Sequence, residues 1–208
     1  MNRYITFTFD DGLINTAKIV KRLEIPTTFY IVLGWVTKEI EINDPFNFYL
    51  DHGTIKEWKN LKIDIGCHTY DHKKNFDEHL SYRKFSQFFN GFKNLSTPYS
   101  LKYNSKLYDS CKIGFFNKPY NELKQKSLKQ IHSINPNYDF VDKDYLKSII
   151  ANCPDQHWMV FTFHGINEGW EPIKYEDLKF WINFFIEKKF TFISMTEGVK
   201  KICKKYLL

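Results

Sequence analysis

The stretch that decides the fold is Tyr4-Ile5-Thr6-Phe7-Thr8-Phe9-Asp10-Asp11-Gly12. A run of β-branched and aromatic residues stops at two adjacent carboxylates and a glycine, which reads as a buried strand ending in a turn. Adjacent carboxylates repel, and neighbouring side chains on a strand point to opposite faces, so the pair calls for a reason. A cation facing at least one of them supplies it. The competing explanation is a solvated Asp-Gly turn.

Strands and helices alternate outward from this point. Ile14, Ala17, Val20 and Leu23 recur at helical spacing, and Pro26 closes that helix before the strand-like run Thr27 to Leu33. A long excursion follows from Gly34 to Asp51, then a helix capped by Thr54, and a strand over Leu61 to Ile65 that opens into Cys67-His68-Thr69-Tyr70-Asp71-His72. Leu80 to Leu95 reads as a helix, Ser96 to Tyr99 as a brief extended piece, Ser105 to Lys112 as a helix and Phe115-Phe116 as a short strand. Gln130 to Ile134 is extended, Asp142 caps a helix over Tyr145 to Ala151, and Trp158 to Phe163 is a buried strand stopped by His164-Gly165. The chain finishes with a helix near Tyr175 to Lys188, a strand Phe190 to Ile193, and a helix opened by Ser194 and Glu197 in capping-box spacing. Such alternation predicts one α/β domain over residues 1–208, with a parallel sheet, helices outside it, and enough βα units to curl into a barrel.

Composition narrows the function. The net charge of +6 comes from scattered lysines without a long basic run, which argues against nucleic-acid binding. Cys67, Cys111, Cys153 and Cys203 are widely separated, the pattern of reduced thiols. No apolar run is long enough to span a membrane and Met1 leads almost directly into a strand, so a cytoplasmic protein is expected. The last helix carries Val199, Ile202, Cys203 and Tyr206 on one stripe, a face that docks on the barrel in preference to a membrane surface.

Three strand ends are polar: Asp10-Asp11-Gly12, His68 with His72, and His164-Gly165. In a parallel α/β fold these ends share one face of the sheet. The four-residue spacing of His68 and His72 sets both imidazoles on one side of a helical turn, and an aspartate from another strand completes a two-nitrogen, one-carboxylate metal site with open positions. The remaining carboxylate, Asp10, can take a proton from water, and His164 can give one to a leaving group, a set suited to hydrolysis of an acyl bond. Two histidines and a carboxylate also make the facial triad of iron(II) oxygenases, but that reading leaves Asp10 and His164 idle.

With these motifs in hand, the chain resembles the polysaccharide deacetylases, the NodB-homology domains of carbohydrate esterase family 4. Thr8-Phe9-Asp10-Asp11-Gly12, His68-Thr69-Tyr70-Asp71-His72 and Phe163-His164-Gly165 match that family's motifs in order. The resemblance implies a distorted, incomplete (β/α) barrel of about seven parallel strands. It also implies a divalent ion, zinc ahead of cobalt, manganese or nickel, held by Asp11, His68 and His72. Asp10 is then the general base, His164 the general acid, and Tyr99 in Thr97-Pro98-Tyr99 the donor of a backbone N–H to the oxyanion. The arginine that normally precedes the proline and braces the aspartate is missing, with Ser96 or Thr97 in its place, and His132 is the candidate replacement. The later aspartate-tryptophan motif is unrecognisable.

The function this implies is metal-dependent removal of an N-acyl group, acetyl first, from an amino sugar, a precursor or lipid-linked glycan of surface-polysaccharide synthesis. Formyl or cyclic amides are alternative substrates, and a catalytically weakened sugar-binding homologue is the alternative role. Trp35 and Trp170 stand near strand-end loops where a sugar ring could stack.

Overall fold

The computed structural model describes residues 2–42, 50–114, 119–123, 125, 127–137, 139 and 142–204. Its strands are β1 (Tyr4–Phe9), β2 (Thr27–Ile31), β3 (Asp64–Cys67), β4 (Asn94–Ser96), β5 (Ser110–Ile113), β6 (Asn121–Glu122), β7 (Ile131–His132), β8 (His157–Phe163) and β9 (Thr191–Phe192). The helices are α1 (Ile14–Lys21), α2 (Leu33–Val36), α3 (Ile55–Leu61), α4 (Glu78–Phe88), α5 (Lys143–Ala151), α6 (Tyr175–Glu187) and α7 (Met195–Lys204). The sheet order is β6-β8-β1-β2-β3-β4-β5-β7, with β9 beside the start of β1. All pairs are parallel except β6 with β8.

Seven of these strands, β8-β1-β2-β3-β4-β5-β7, curl into a barrel. Among the described residues its seam is a single bridge: Ile134, just past β7, lies in register with Phe161, donates to Val160 O at 2.8 Å and accepts from Thr162 N at 2.7 Å. The distorted barrel of about seven parallel strands expected from the sequence is therefore what the chain adopts, closed at one place by backbone pairing that is too short to form a strand.

Alternation within the strands divides the interior into two layers. Ile5, Phe7 and Phe9 of β1 join Phe29, Phe161 and Phe163 in an outer core shared with Trp181 and Phe185 of α6 and Ala17 and Val20 of α1. The Phe7 ring packs at 5.3 to 5.9 Å on Phe163, Phe185, Phe192 and Phe161. The alternate residues point inside the barrel, and many are hydroxylic: Thr6, Thr8, Thr28, Ser96, Ser110 and Thr162 are all buried.

One end of the barrel is plugged by α7. Its capping box is formed, with Glu197 N–H to Ser194 Oγ at 3.2 Å and Ser194 N–H to Glu197 Oε2 at 2.7 Å. The first turn reaches Asp64 of β3 through Thr196 N–H (3.0 Å) and Thr196 Oγ1 (2.7 Å), while Thr28 Oγ1 donates to the same carboxylate at 2.7 Å. Val199 and Ile202 are fully buried against Trp158, Val160 and Ile193, so this helix face docks on the barrel floor. Among the described residues no helix is long and apolar enough to cross a membrane.

Several expected elements need correction. Residues 105–109 do not form a helix, and 110–113 form β5, because Cys111 and Ile113 supply the outer core while Ser110 and Lys112 face inward. Helix α4 stops at Phe88 and not at Leu95, since the chain turns at Asn90-Gly91 and Leu95 is needed in β4. The strand of residue 61 onward starts only at Asp64, after Lys62 ends α3 in a left-handed conformation. Phe115-Phe116 lies outside the described residues.

Candidate metal and acid-base centre

At the end of β1, Asp10 extends the ladder by donating its N–H to Phe163 O at 2.8 Å, and its side chain turns into the barrel. Asp11 and Gly12 then take left-handed backbone angles, φ 67° and 70°. A Cβ on Gly12 would lie within 3.0 Å of Ile31, so this position needs glycine for space as well as conformation. His52 secures the turn, with Nδ1 at 2.9 Å from Asp11 O and 3.2 Å from Gly12 O. The left-handed twist at Asp11 overturns the expectation that the two carboxylates point to opposite faces. Both converge on the barrel mouth, with His68 Nε2 at 4.0 Å from Asp10 Oδ2 and 3.5 Å from Asp11 Oδ1.

His68 follows β3, and its Nδ1 lies 2.9 Å from Ser96 O. That bond places the proton on Nδ1 and leaves the Nε2 lone pair facing Asp11. His72 also presents Nε2, at 3.3 Å from Asp11 Oδ1. The two imidazoles do not share a helical turn. Thr69 and His72 have φ of 64° and 54°, and His72 N–H donates to Thr69 Oγ1 at 3.0 Å, so a tight bend brings the rings to 4.9 Å.

The ligand atoms of Asp11, His68 and His72 all lie within 4.8 Å of one another. Asp11 Oδ1 is buried and has no hydrogen-bond partner among the described residues. Burial and the neighbouring His68 push the His72 imidazole down to about 4, which keeps it neutral with a free lone pair near pH 7. One carboxylate oxygen and two imidazole nitrogens aimed at a common point fit a divalent cation.

Asp10, only 5% exposed, makes a different set of contacts. Ser96 Oγ donates to Oδ2 at 3.0 Å, and Lys112 Nζ donates to Oδ1 at 3.0 Å and Oδ2 at 2.9 Å. Burial pushes the Asp10 carboxyl up, but Lys112, His68 and His164 more than offset it, and the net displacement is downward. His132 is not the brace. It lies in register with Ile113, while its neighbour Ile131 is in register with Lys112, so His132 falls on the other face of the sheet. Lys112 escaped the sequence reading because its segment has helical spacing and its inward face is apparent only once β5 is placed.

His164 follows β8, half-buried, with Nδ1 buried and unpartnered among the described residues. It lies close enough for its charge to bear on both Asp10 and His72. The loop beyond it is tied to α1: Glu168 Oε1 accepts from Thr16 N at 3.0 Å and Thr16 Oγ1 at 2.8 Å, and Ile166 N–H donates to Thr16 Oγ1 at 3.0 Å. On the rim, Tyr99 has φ 55°, is 59% exposed, and sets its ring 5.1 Å from that of His72. Trp35 packs on His72 and His52 at 5.1 and 4.9 Å, and Trp170 is exposed.

The polysaccharide deacetylase family model matches residues 1–94, the part that carries the acidic turn and both paired histidines. No curated protein matches the sequence. Two solved structures share the fold at 13% identity. One is the Xyl-CE4 domain of a multidomain xylanase from the hindgut metagenome of Trinervitermes trinervoides, with TM-score 0.54 over 97% of this chain and 91% of that one. The other is the chitin deacetylase of the fungal pathogen Colletotrichum lindemuthianum, with TM-score 0.50 over 94% and 86%. The barrel is thus of the NodB type.

Proposed function

We propose that this protein is a metal-dependent hydrolase that removes an N-acyl group, acetyl first, from an amino sugar. The observation that carries this reading is the division between two adjacent carboxylates: Asp11 shares a point with two imidazole nitrogens, whereas Asp10 is held by Lys112 and Ser96 beside it. Asp11, His68 and His72 would hold the ion, with zinc ahead of cobalt, manganese or nickel. Such an ion, when bound, polarises the acyl carbonyl and lowers the pKa of water.

The residues of the chain handle the protons. Asp10 accepts a proton from the attacking water as the water oxygen bonds to the acyl carbon. The backbone N–H of Tyr99 donates to the oxygen on which negative charge develops. His164 delivers a proton to the nitrogen as the carbon–nitrogen bond breaks, so acid and amine leave in balance. Tyr99 and Trp170 offer aromatic surface at the rim for a sugar ring.

The chitin deacetylase among the fold neighbours supports an acetylated amino sugar, and the substrate we assign is a precursor or lipid-linked glycan of surface-polysaccharide synthesis, met inside the cell. The missing arginine favoured a binding-only homologue, but both Asp10 oxygens have donors and that ground is gone. The test is acetate release from N-acetylated chitooligosaccharides by protein stripped of metal and refilled with zinc, cobalt, manganese or nickel in turn. Formylated sugars and acetylated xylan run in parallel. Release of acetate only with ion present supports the proposal, and a metal-loaded protein inert on all N-acylated sugars overturns it.

A further inference from the structure

We infer that Lys112 is the positioning residue for Asp10, supplied by β5 in place of the arginine missing beside Pro98 on the β4 side. The inference deepens the proposed role of Asp10 as base and rests on it. Lys112 is 2% exposed and lies inside the barrel. Its Nζ has three acceptors, Asp10 Oδ1 (3.0 Å), Asp10 Oδ2 (2.9 Å) and Thr162 Oγ1 (2.9 Å). Thr8 Oγ1 donates to Phe161 O at 3.0 Å, so the 3.1 Å contact between the two threonines is donated by Thr162. Thr162 then accepts from lysine, and all three protons of an ammonium are used. The Tyr30 ring lies 5.1 Å below the cation. It occupies that place because Gly66 has no Cβ, which would sit 2.3 Å from the ring. Asp10, Thr162, Tyr30 and Gly66 come from four strands, so the cradle is built by the barrel and not by one loop. Ser96 adds its own hydrogen bond to Oδ2.

A lysine reaching across the barrel fixes the carboxylate by a point charge, whereas an arginine from β4 would do so by a planar fork. The experiment is a cycle of Asp10→Asn, Lys112→Met and the double variant, each followed by thermal unfolding and by acetate release from N-acetylated chitopentaose with metal present. Lys112→Met should lower the melting temperature, and the double variant, which removes both buried charges, should lie closer to wild type. Lys112→Met should also lower kcat about 100-fold with KM within a few-fold, the mark of a displaced reacting group and not of lost substrate contact. A double variant no more stable than Lys112→Met, or a Lys112→Met protein with wild-type kcat, overturns the inference. If wild type releases no acetate while the stability coupling is present, the catalytic reading fails and the placement of Asp10 by Lys112 stands.

Discussion

Asp64 and Asp11 sit at opposite ends of the same barrel, and their surroundings differ in kind. Asp64 at the floor accepts from Thr28, from the Thr196 hydroxyl and from the Thr196 N–H at the start of α7. A carboxylate at a helix N-terminus with hydroxyl donors is electrostatically satisfied without a cation. Asp11 at the mouth has a buried oxygen without a hydrogen-bond partner among the described residues, facing two imidazole nitrogens. An unsatisfied carboxylate oxygen at one end and a fully satisfied carboxylate at the other distinguish the face to which we assign the reaction from the face that serves stability.

Emptying the mouth of metal is expected to have the largest effect. Chelation should bring acetate release to background, and added divalent ion should restore it in wild type but not in His68→Ala at the same ion concentration. Equal recovery in the variant would remove His68 from the ligand set. Asp10→Asn comes next, with kcat lower by about 100-fold to 10,000-fold and ion affinity, read by titration, within a few-fold of wild type. Full turnover in that variant ends the assignment of Asp10 as base.

The floor should respond in stability alone. Thr196→Val removes the hydroxyl that donates to Asp64 and accepts from Asn94, so the urea midpoint should fall by the equivalent of about 1 to 3 kcal/mol while kcat is unchanged. A kcat loss without a midpoint shift would erase the contrast between the two ends.

The smallest effect concerns Glu78, a structural carboxylate that receives bonds from Ser105, Lys106, Leu107 and Tyr103 and so holds the segment after Tyr99. Burial pushes its carboxyl up, but those donors more than offset it and hold it below the ordinary value of 4.5. A carboxylate depressed in the folded state adds stability that is fully present above the unfolded value and fades as pH falls through the folded one. Glu78→Gln should therefore lose about 1 kcal/mol at pH 7, with the difference from wild type shrinking as the pH is taken below 4.5. A difference constant down to acid pH would show that its charge contributes nothing.

Much of the centre was legible in the chain. Asp10, Asp11, His68, His72 and His164 follow apolar strand-like runs, and parallel strands must deliver their ends to one side. Lys112 was not legible, because Leu107, Tyr108 and Cys111 mimic helical spacing when the sheet is unknown. His52 was equally hidden: it meets the Asp11 and Gly12 carbonyls from 40 residues away in sequence, and no local pattern marks such a contact. The paired histidines were found for a partly mistaken reason, since their convergence comes from left-handed residues and not from helical periodicity.

By itself, then, the order of residues determined which strands alternate with helices, which ends are polar, and which family the motifs resemble, because hydrophobic period and turn chemistry act over a few residues. Only the tertiary structure decided that Asp10 and Asp11 face the same space, that Ile134 seals the barrel onto β8, and that a lysine 102 positions away meets Asp10. Those outcomes depend on strand register and barrel closure. Shifting a strand by one residue would turn every inward side chain outward, and that register is set by the packing of the whole chain.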